Sequence, residues 1–188
     1  MTIKKIALAF TALLSLFAFI NHSGGIYKTN TGNISFYSYT PVKDIRASNH
    51  KVKTAFSSES GQLQFSCLIK DFEFKNALMQ EHFNENYMES TTYPKATFDG
   101  FITSLSAIDF NKDGTYTSEV TGKLKIKDVS KKVSTTGTFF VSGGIVNAKA
   151  TFNVNPYDYN VKIPKMIASK ISESIEIIVD SDYTSNNK

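Results

Sequence analysis

Residues 120–127 read Val-Thr-Gly-Lys-Leu-Lys-Ile-Lys. Val120, Gly122, Leu124 and Ile126 alternate with Thr121, Lys123, Lys125 and Lys127, so one side is apolar and the other polar or charged. A period of two is the mark of a half-buried strand, and one wet face points to an antiparallel sheet. The pattern recurs along the chain. Leu63, Phe65, Cys67 and Ile69 alternate with Gln62, Gln64 and Ser66. Val133, Thr135, Gly137, Phe139 and Val141 share a face. So do Val146, Ala148, Ala150, Phe152 and Val154, opposite Asn147, Lys149, Thr151 and Asn153. Ile175, Ile177 and Val179 repeat it near the end, and further strands are expected over 34–39, 51–56 and 96–102.

Turn chemistry punctuates these runs. Ser60-Gly61, Asn111-Lys112-Asp113-Gly114 and Ser142-Gly143-Gly144 each separate two strand patterns, as hairpin loops do. Regular short strands with such turns build a sandwich or a barrel, and nothing has the long spacing of a βαβ unit. One stretch departs. In residues 76–89, Met79, Phe83 and Tyr87 fall four apart, which is helical spacing, and Pro94 closes the excursion. A second short helix is expected over 164–171, where Ile163, Ile167 and Ile171 are also spaced by four.

Composition narrows the class. The 188 residues carry a formal charge of +4, 41% hydrophobic and 13% aromatic side chains, one cysteine and three histidines. The length allows one ordinary domain with its own core, and the hydrophobic content excludes a disordered chain. A thin positive charge without a basic block argues against nucleic acid. A lone Cys67 excludes an internal disulfide framework and a cysteine zinc cluster. Lys4 and Lys5, the apolar run 6–20 and the small polar stretch 21–25 read as an export signal. An uncleaved anchor is the alternative, although the run is shorter than the roughly 20 residues of a spanning helix. The expected division is a leader over 1–25 and a single domain over 26–188, periplasmic or secreted.

Catalytic signatures are missing. There is no Gly-x-Ser-x-Gly elbow, phosphate loop, dinucleotide fingerprint or His-Glu-x-x-His helix. His82 lacks a second histidine four residues on, and that position is Asn86. Asp71 and Glu73 flank Phe72 in an expected strand, so both acids share a solvated side. The inward faces mix large and very small groups: Phe65 beside Cys67, Gly122 beside Leu124, Gly137 beside Phe139, and Ala148 and Ala150 beside Phe152. Small groups leave room for a ligand inside an eight-stranded barrel, or they relieve crowding where strands bend. The pattern alone supports both readings.

Phe72-x-Phe74, Gln80-Glu81-His82-Phe83-Asn84 and Tyr93-Pro94-Lys95-Ala96-Thr97-Phe98 resemble the YceI-like family of exported bacterial proteins. That family carries an acid-His-apolar triplet on a short helix, then Tyr-Pro-x-x-x-Phe leading into a strand. Residues 122–131, Gly-Lys-Leu-Lys-Ile-Lys-Asp-Val-Ser-Lys, are similar to its Gly-x-Leu-x-Ile-His-Gly-Val-Thr-Lys hairpin, with Lys127-Asp128 in place of His-Gly. Tyr159-Asn160 stands where the family has Phe-Gly, and Tyr27 where it has an early tryptophan. The resemblance implies an all-β, lipocalin-like antiparallel barrel of about eight strands, with the helical excursion after the middle strands. A binding protein that is not an enzyme and needs no cofactor or metal is expected, because no nucleophile–base pair can be assembled from the sequence; an enzyme acting on a lipid is the less favoured reading. The binding protein's partner would be a hydrophobic small molecule, a polyisoprenoid, isoprenoid quinone or other lipid; transient membrane contact is a separate expectation, apart from the resemblance. A structural or interaction module with a filled barrel is the alternative. The expected apolar lining is Phe36, Phe65, Cys67, Phe74, Met79, Phe83, Met88, Phe98, Leu124, Ile126, Phe139 and Phe152.

Overall fold

The alternating runs become strands β1 (Ile26–Tyr39), β2 (Asp44–Ser57), β3 (Gln62–Leu68), β4 (Glu73–Phe74), β5 (Lys95–Ile102), β6 (Gly114–Ile126), β7 (Val129–Ser142), β8 (Ile145–Val154) and β9 (Ile175–Ser185). The computed structural model describes residues 25–185, so the leader expected over 1–25 falls outside the described residues except for Gly25. Every pairing is antiparallel, in the order β1-β9-β8-β7-β6-β5-β3-β2-β4, and β1 also pairs with β2. That last pairing closes eight strands into a barrel. The two-residue β4 pairs with β2 at Ala47 and Ser48, beyond the stretch of β2 that β3 covers.

Register stacks the inward residues in rings. Phe65 lies opposite Phe98, Phe98 opposite Leu124, Phe139 opposite Ala148, and Phe152 opposite Ile177. The β7–β8 turn uses Gly143 and Gly144 with φ of +56° and +81°, the left-handed pair that a two-residue hairpin of this hand requires.

Strands β1 and β2 run beyond the expected 34–39 and 51–56, because register shifts on either side of Gly32 and the inward Asn49 interrupt the alternation there. Ser38, Asn49 and Thr54 are buried, and each is satisfied. Asn49 Nδ2 donates to the Leu68 carbonyl at 3.0 Å and its Oδ1 accepts from Lys51 N at 2.9 Å. Thr54 Oγ1 is 2.9 Å from the Tyr183 hydroxyl, and Ser38 Oγ accepts from Ser172 N at 2.9 Å. A buried polar group left unpaired would cost about 1–3 kcal/mol, so these bonds make polar interior positions tolerable. Asp71 and Glu73 do not share a strand as expected: Asp71 ends a 3-10 turn (Ile69–Asp71) and only Glu73 enters β4.

One end of the barrel is filled. Tyr27 stacks on Phe56 with ring centres 4.9 Å apart and planes 3° from parallel. Phe110 sits 5.5 Å from Tyr27 and 5.4 Å from Phe56, and Tyr183 meets Phe56 edge-on at 5.0 Å. Leu105, Ile108 and Phe110, from the β5–β6 connection, pack on this cluster as its floor. Phe56→Ala is therefore expected to cost about 3–5 kcal/mol of unfolding free energy, while Lys123→Ala, on the wet side of β6, should stay within about 0.5 kcal/mol. Urea unfolding of both variants checks the assignment of faces, and equal losses would contradict it.

Candidate functional site

Toward the other end Phe65, Phe98, Leu124, Phe152 and Ile177 are only half-buried and border open volume, while Ile69, Cys67, Phe72 and Met88 stay buried in smaller clusters. An inner cavity of about 140 Å³ is bounded by β3, β5, β6, β7, β8 and β9. An outer cavity of about 720 Å³ lies at the open end, between the barrel rim, the helical excursion and the residues just before β9. Its size is within the usual range of small-molecule sites, roughly 300–1,000 Å³. Phe72, Ala96, Ile126 and Ile177 line both, so the two share walls. The lining of the inner cavity is almost wholly apolar; that of the outer one is mainly apolar and includes Ser38, Lys43, Asn76, His82 and Lys170.

All twelve side chains expected from sequence border one cavity or the other. Phe65, Cys67, Phe98, Leu124, Phe139 and Phe152 line the inner one, Phe36, Phe74, Met79, Phe83 and Met88 the outer, and Ile126 both. The expectation missed a whole wall of the outer cavity: Tyr159, Val161, Ile163, Ile167, Ile171 and Ile175. The four-residue isoleucine spacing was visible, and the segment forms a 3-10 helix (Lys165–Lys170). Sequence gave no sign that it folds over the mouth.

The small residues divide by role. A Cβ on Gly122 would stand 2.6 Å from Phe98 Cζ and from Gly100 Cα, and one on Gly100 would stand 2.8 Å from Phe98 Cε1. These paired glycines make room for the Phe98 ring. Ala148 and Ala150 line the inner cavity itself. Burial pushes the Cys67 thiol up to about 11. It is therefore protonated at neutral pH, and the residue serves as an inert apolar wall.

The excursion is helix α1 (Ala77–His82) followed without a break by a π-helical turn (Phe83–Tyr87). Asn76 Oδ1 caps α1 by accepting from Met79 N at 3.0 Å, and Gln80 Oε1 accepts from Phe74 N at 3.1 Å. Phe83 is seated among three other rings, with centres 5.4 Å from Phe36, 5.7 Å from Phe72 and 5.0 Å from Phe74. The far end of the excursion is held by an ion pair that sequence did not announce. Lys127 Nζ donates to Glu89 Oε1 at 2.6 Å, to the Asn160 carbonyl at 3.3 Å and to the Tyr87 carbonyl at 3.5 Å, and it lies 5.3 Å from the Tyr93 ring centre. Glu89, Lys127 and Asn160 are also the non-glycine residues with positive φ among the described residues, at 49°, 53° and 56°. Three separate turns thus adopt left-handed backbone where they meet.

A family model for the YceI-like domain matches residues 19–183. The chain belongs to the YceI-like family. No curated protein matches it. Among solved structures, a polyisoprenoid binding domain from Saccharophagus degradans superposes with a TM-score of 0.72 at 13% identity, covering 86% of this chain and 99% of that one. Burkholderia cenocepacia BcnA follows the same path with a TM-score of 0.67 at 17% identity, over 81% and 96%. A YCEI protein from Campylobacter jejuni gives 0.56 at 13%, over 73% and 81%. At these identities the likeness is one of fold. Where the resemblance placed a family His-Gly, this YceI-like chain has the turn that carries the buried ammonium. Where it placed Phe-Gly, it has Tyr159-Asn160, and Asn is among the few residues that accept left-handed backbone readily.

The two partners of the ion pair differ in their access to water. The Lys127 side chain is 4% exposed and that of Glu89 42%. Removing the acid strands a buried cation, whereas removing the cation leaves an acid that reaches solvent. Glu89→Gln is expected to cost about 2 kcal/mol and Lys127→Met less than half as much. Urea midpoints measured in parallel check the order, and the reverse order would contradict it.

Proposed function

We propose that this protein is an exported carrier that encloses one long apolar molecule, a polyisoprenoid, an isoprenoid quinone or another lipid. The observation that carries the reading is the apolar lining that runs from the outer cavity to the inner one through Phe72, Ala96, Ile126 and Ile177. Such a lining suits a chain of methylenes and methyls, and each enclosed methylene contributes about 0.8 kcal/mol. A ligand of some tens of carbons has ample gross driving force, offset by the cost of ordering it, so that affinities saturate near about −18 kcal/mol. The polyisoprenoid-binding relative with the same fold supports this cargo class. Export is supported by Lys4, Lys5 and the apolar run 6–20.

Organic-solvent extraction of the purified protein, followed by mass spectrometry, tests the reading. A long-chain apolar compound recovered in stoichiometric amount is expected. Protein free of lipid in every preparation, together with failure to take up a fluorescent lipid, would refute it.

The excursion would act as the gate. Met79 lines the outer cavity from α1, and Phe83 fastens the helix to the rim. Met79→Ala and Phe83→Ala should each raise the release rate of a bound fluorescent lipid several-fold, beside a stability loss of about 2–5 kcal/mol. Lost stability with unchanged release would mean that the excursion is a plug.

A further inference from the structure

At the open end, two segments form one lip of the outer cavity. Residues 39–43 are Tyr-Thr-Pro-Val-Lys, and 161–172 are Val-Lys-Ile-Pro-Lys-Met-Ile-Ala-Ser-Lys-Ile-Ser. The bond from Ser172 N to Ser38 Oγ, 2.9 Å, ties the second segment to the end of β1. The two segments contain four lysines, Lys43, Lys162, Lys165 and Lys170; the acids that directly adjoin them, Asp44 and Glu173, leave an excess of two positive charges. None of the four is in an ion pair among the described residues, which they share with the outer-wall lysines Lys123, Lys125 and Lys132; what sets them apart is their place beside the mouth. Asp44 accepts from the Tyr37 hydroxyl at 3.1 Å, and Glu81 and Glu85, across the mouth, belong to the helical excursion.

The lip is apolar as well as basic. Ile163, Ile167 and Ile171 turn toward the cavity, whereas Met166 is 94% exposed and Tyr39 and Val42 are each 61% exposed. A methionine and a valine standing in water beside unpaired lysines gain little from the barrel's own packing. Both groups gain at an anionic lipid surface: the ammonium groups meet phosphates, the apolar side chains enter the headgroup layer, and a tyrosine is at home at that boundary.

We infer that the lip formed by residues 39–43 and 161–172 docks the barrel, mouth down, on an anionic bilayer. Docked this way, the outer cavity opens directly onto the lipid, and an apolar chain moves between membrane and barrel without crossing water. The inference deepens the carrier reading. Its test uses vesicles that contain no polyisoprenoid, so docking is read independently of cargo.

The closed barrel is contained in residues 26–185, so the chain from Gly25 to Lys188 is used in vesicle flotation. Binding is expected to vesicles of phosphatidylglycerol mixed with phosphatidylcholine, not to phosphatidylcholine alone, and it should weaken in high salt. Each lysine near an anionic surface is worth about fivefold in partitioning. The combined substitution Lys162→Gln, Lys165→Gln and Lys170→Gln should therefore lower binding by about a hundredfold, and Met166→Ser should lower it further. A matched control on the outer wall, Lys123→Gln, Lys125→Gln and Lys132→Gln, should lower it far less. Circular dichroism melting confirms that each variant is folded. Equal binding to neutral and anionic vesicles, or equal losses in the two triple variants, would overturn the inference. So would self-association that disappears with the lip substitutions while vesicle binding is absent, since the lip would then be covered by a second copy.

Discussion

Tyr27, Phe56, Phe110 and Tyr183 meet across one end of the barrel, and the rest of the structure depends on that contact. A sheet that curls into a cylinder must bury its inner face somewhere to offset the entropy of ordering the chain. Here the burial is concentrated. Large rings fill the end where β1 begins and β9 finishes, and Leu105, Ile108 and Phe110 floor it. With the barrel anchored there, Phe65, Leu124, Phe152 and Ile177 can stay half-buried around open volume. A fold packed evenly throughout would have no room for a guest, and one open throughout would lack a core.

Much of this architecture was legible because a strand with one wet face writes its geometry into the chain at period two. Residues 120–126 and 145–154 carried that signal undiluted. It faded in β1 and β2, where register shifts flank Gly32 and where Ser38, Asn49 and Thr54 point inward, each with a hydrogen bond to a distant part of the chain. The partners Leu68, Tyr183 and Ser172 cannot be named from local pattern. The twelve cavity residues were legible for the same reason as the strands, since in a barrel every inward apolar residue either fills or lines. The wall built by 159–175 was not, because 3-10 turns have no amphipathic period long enough to announce a facing. The Lys127–Glu89 pair, 38 residues apart, left no trace either.

The paired reading of the small residues also resolves by position. Gly100 and Gly122 face one another across two strands and lie under the Phe98 ring, so their lack of a side chain is a packing device. Ala148 and Ala150, on β8, border the cavity. Composition treats these positions alike. The deciding variable is whether a ring lies over the position, as that of Phe98 does over Gly100 and Gly122.

The pairing of β1 with β9 joins the two segments farthest apart in the chain, with Tyr27 opposite Ser185. Until β9 has been synthesised and docked, the seven other barrel strands form an open sheet with two raw edges, at β1 and β8. Such edges invite pairing with other molecules. Long-range strand pairing is also slow, because the loop must close before the contacts reward it. The ring is therefore a late event, and the vulnerable interval of this protein's life falls before the last eleven residues of sheet are in place. A chain that loses that strand loses more than one-eighth of a wall: it becomes a sheet with adhesive margins, prone to aggregate.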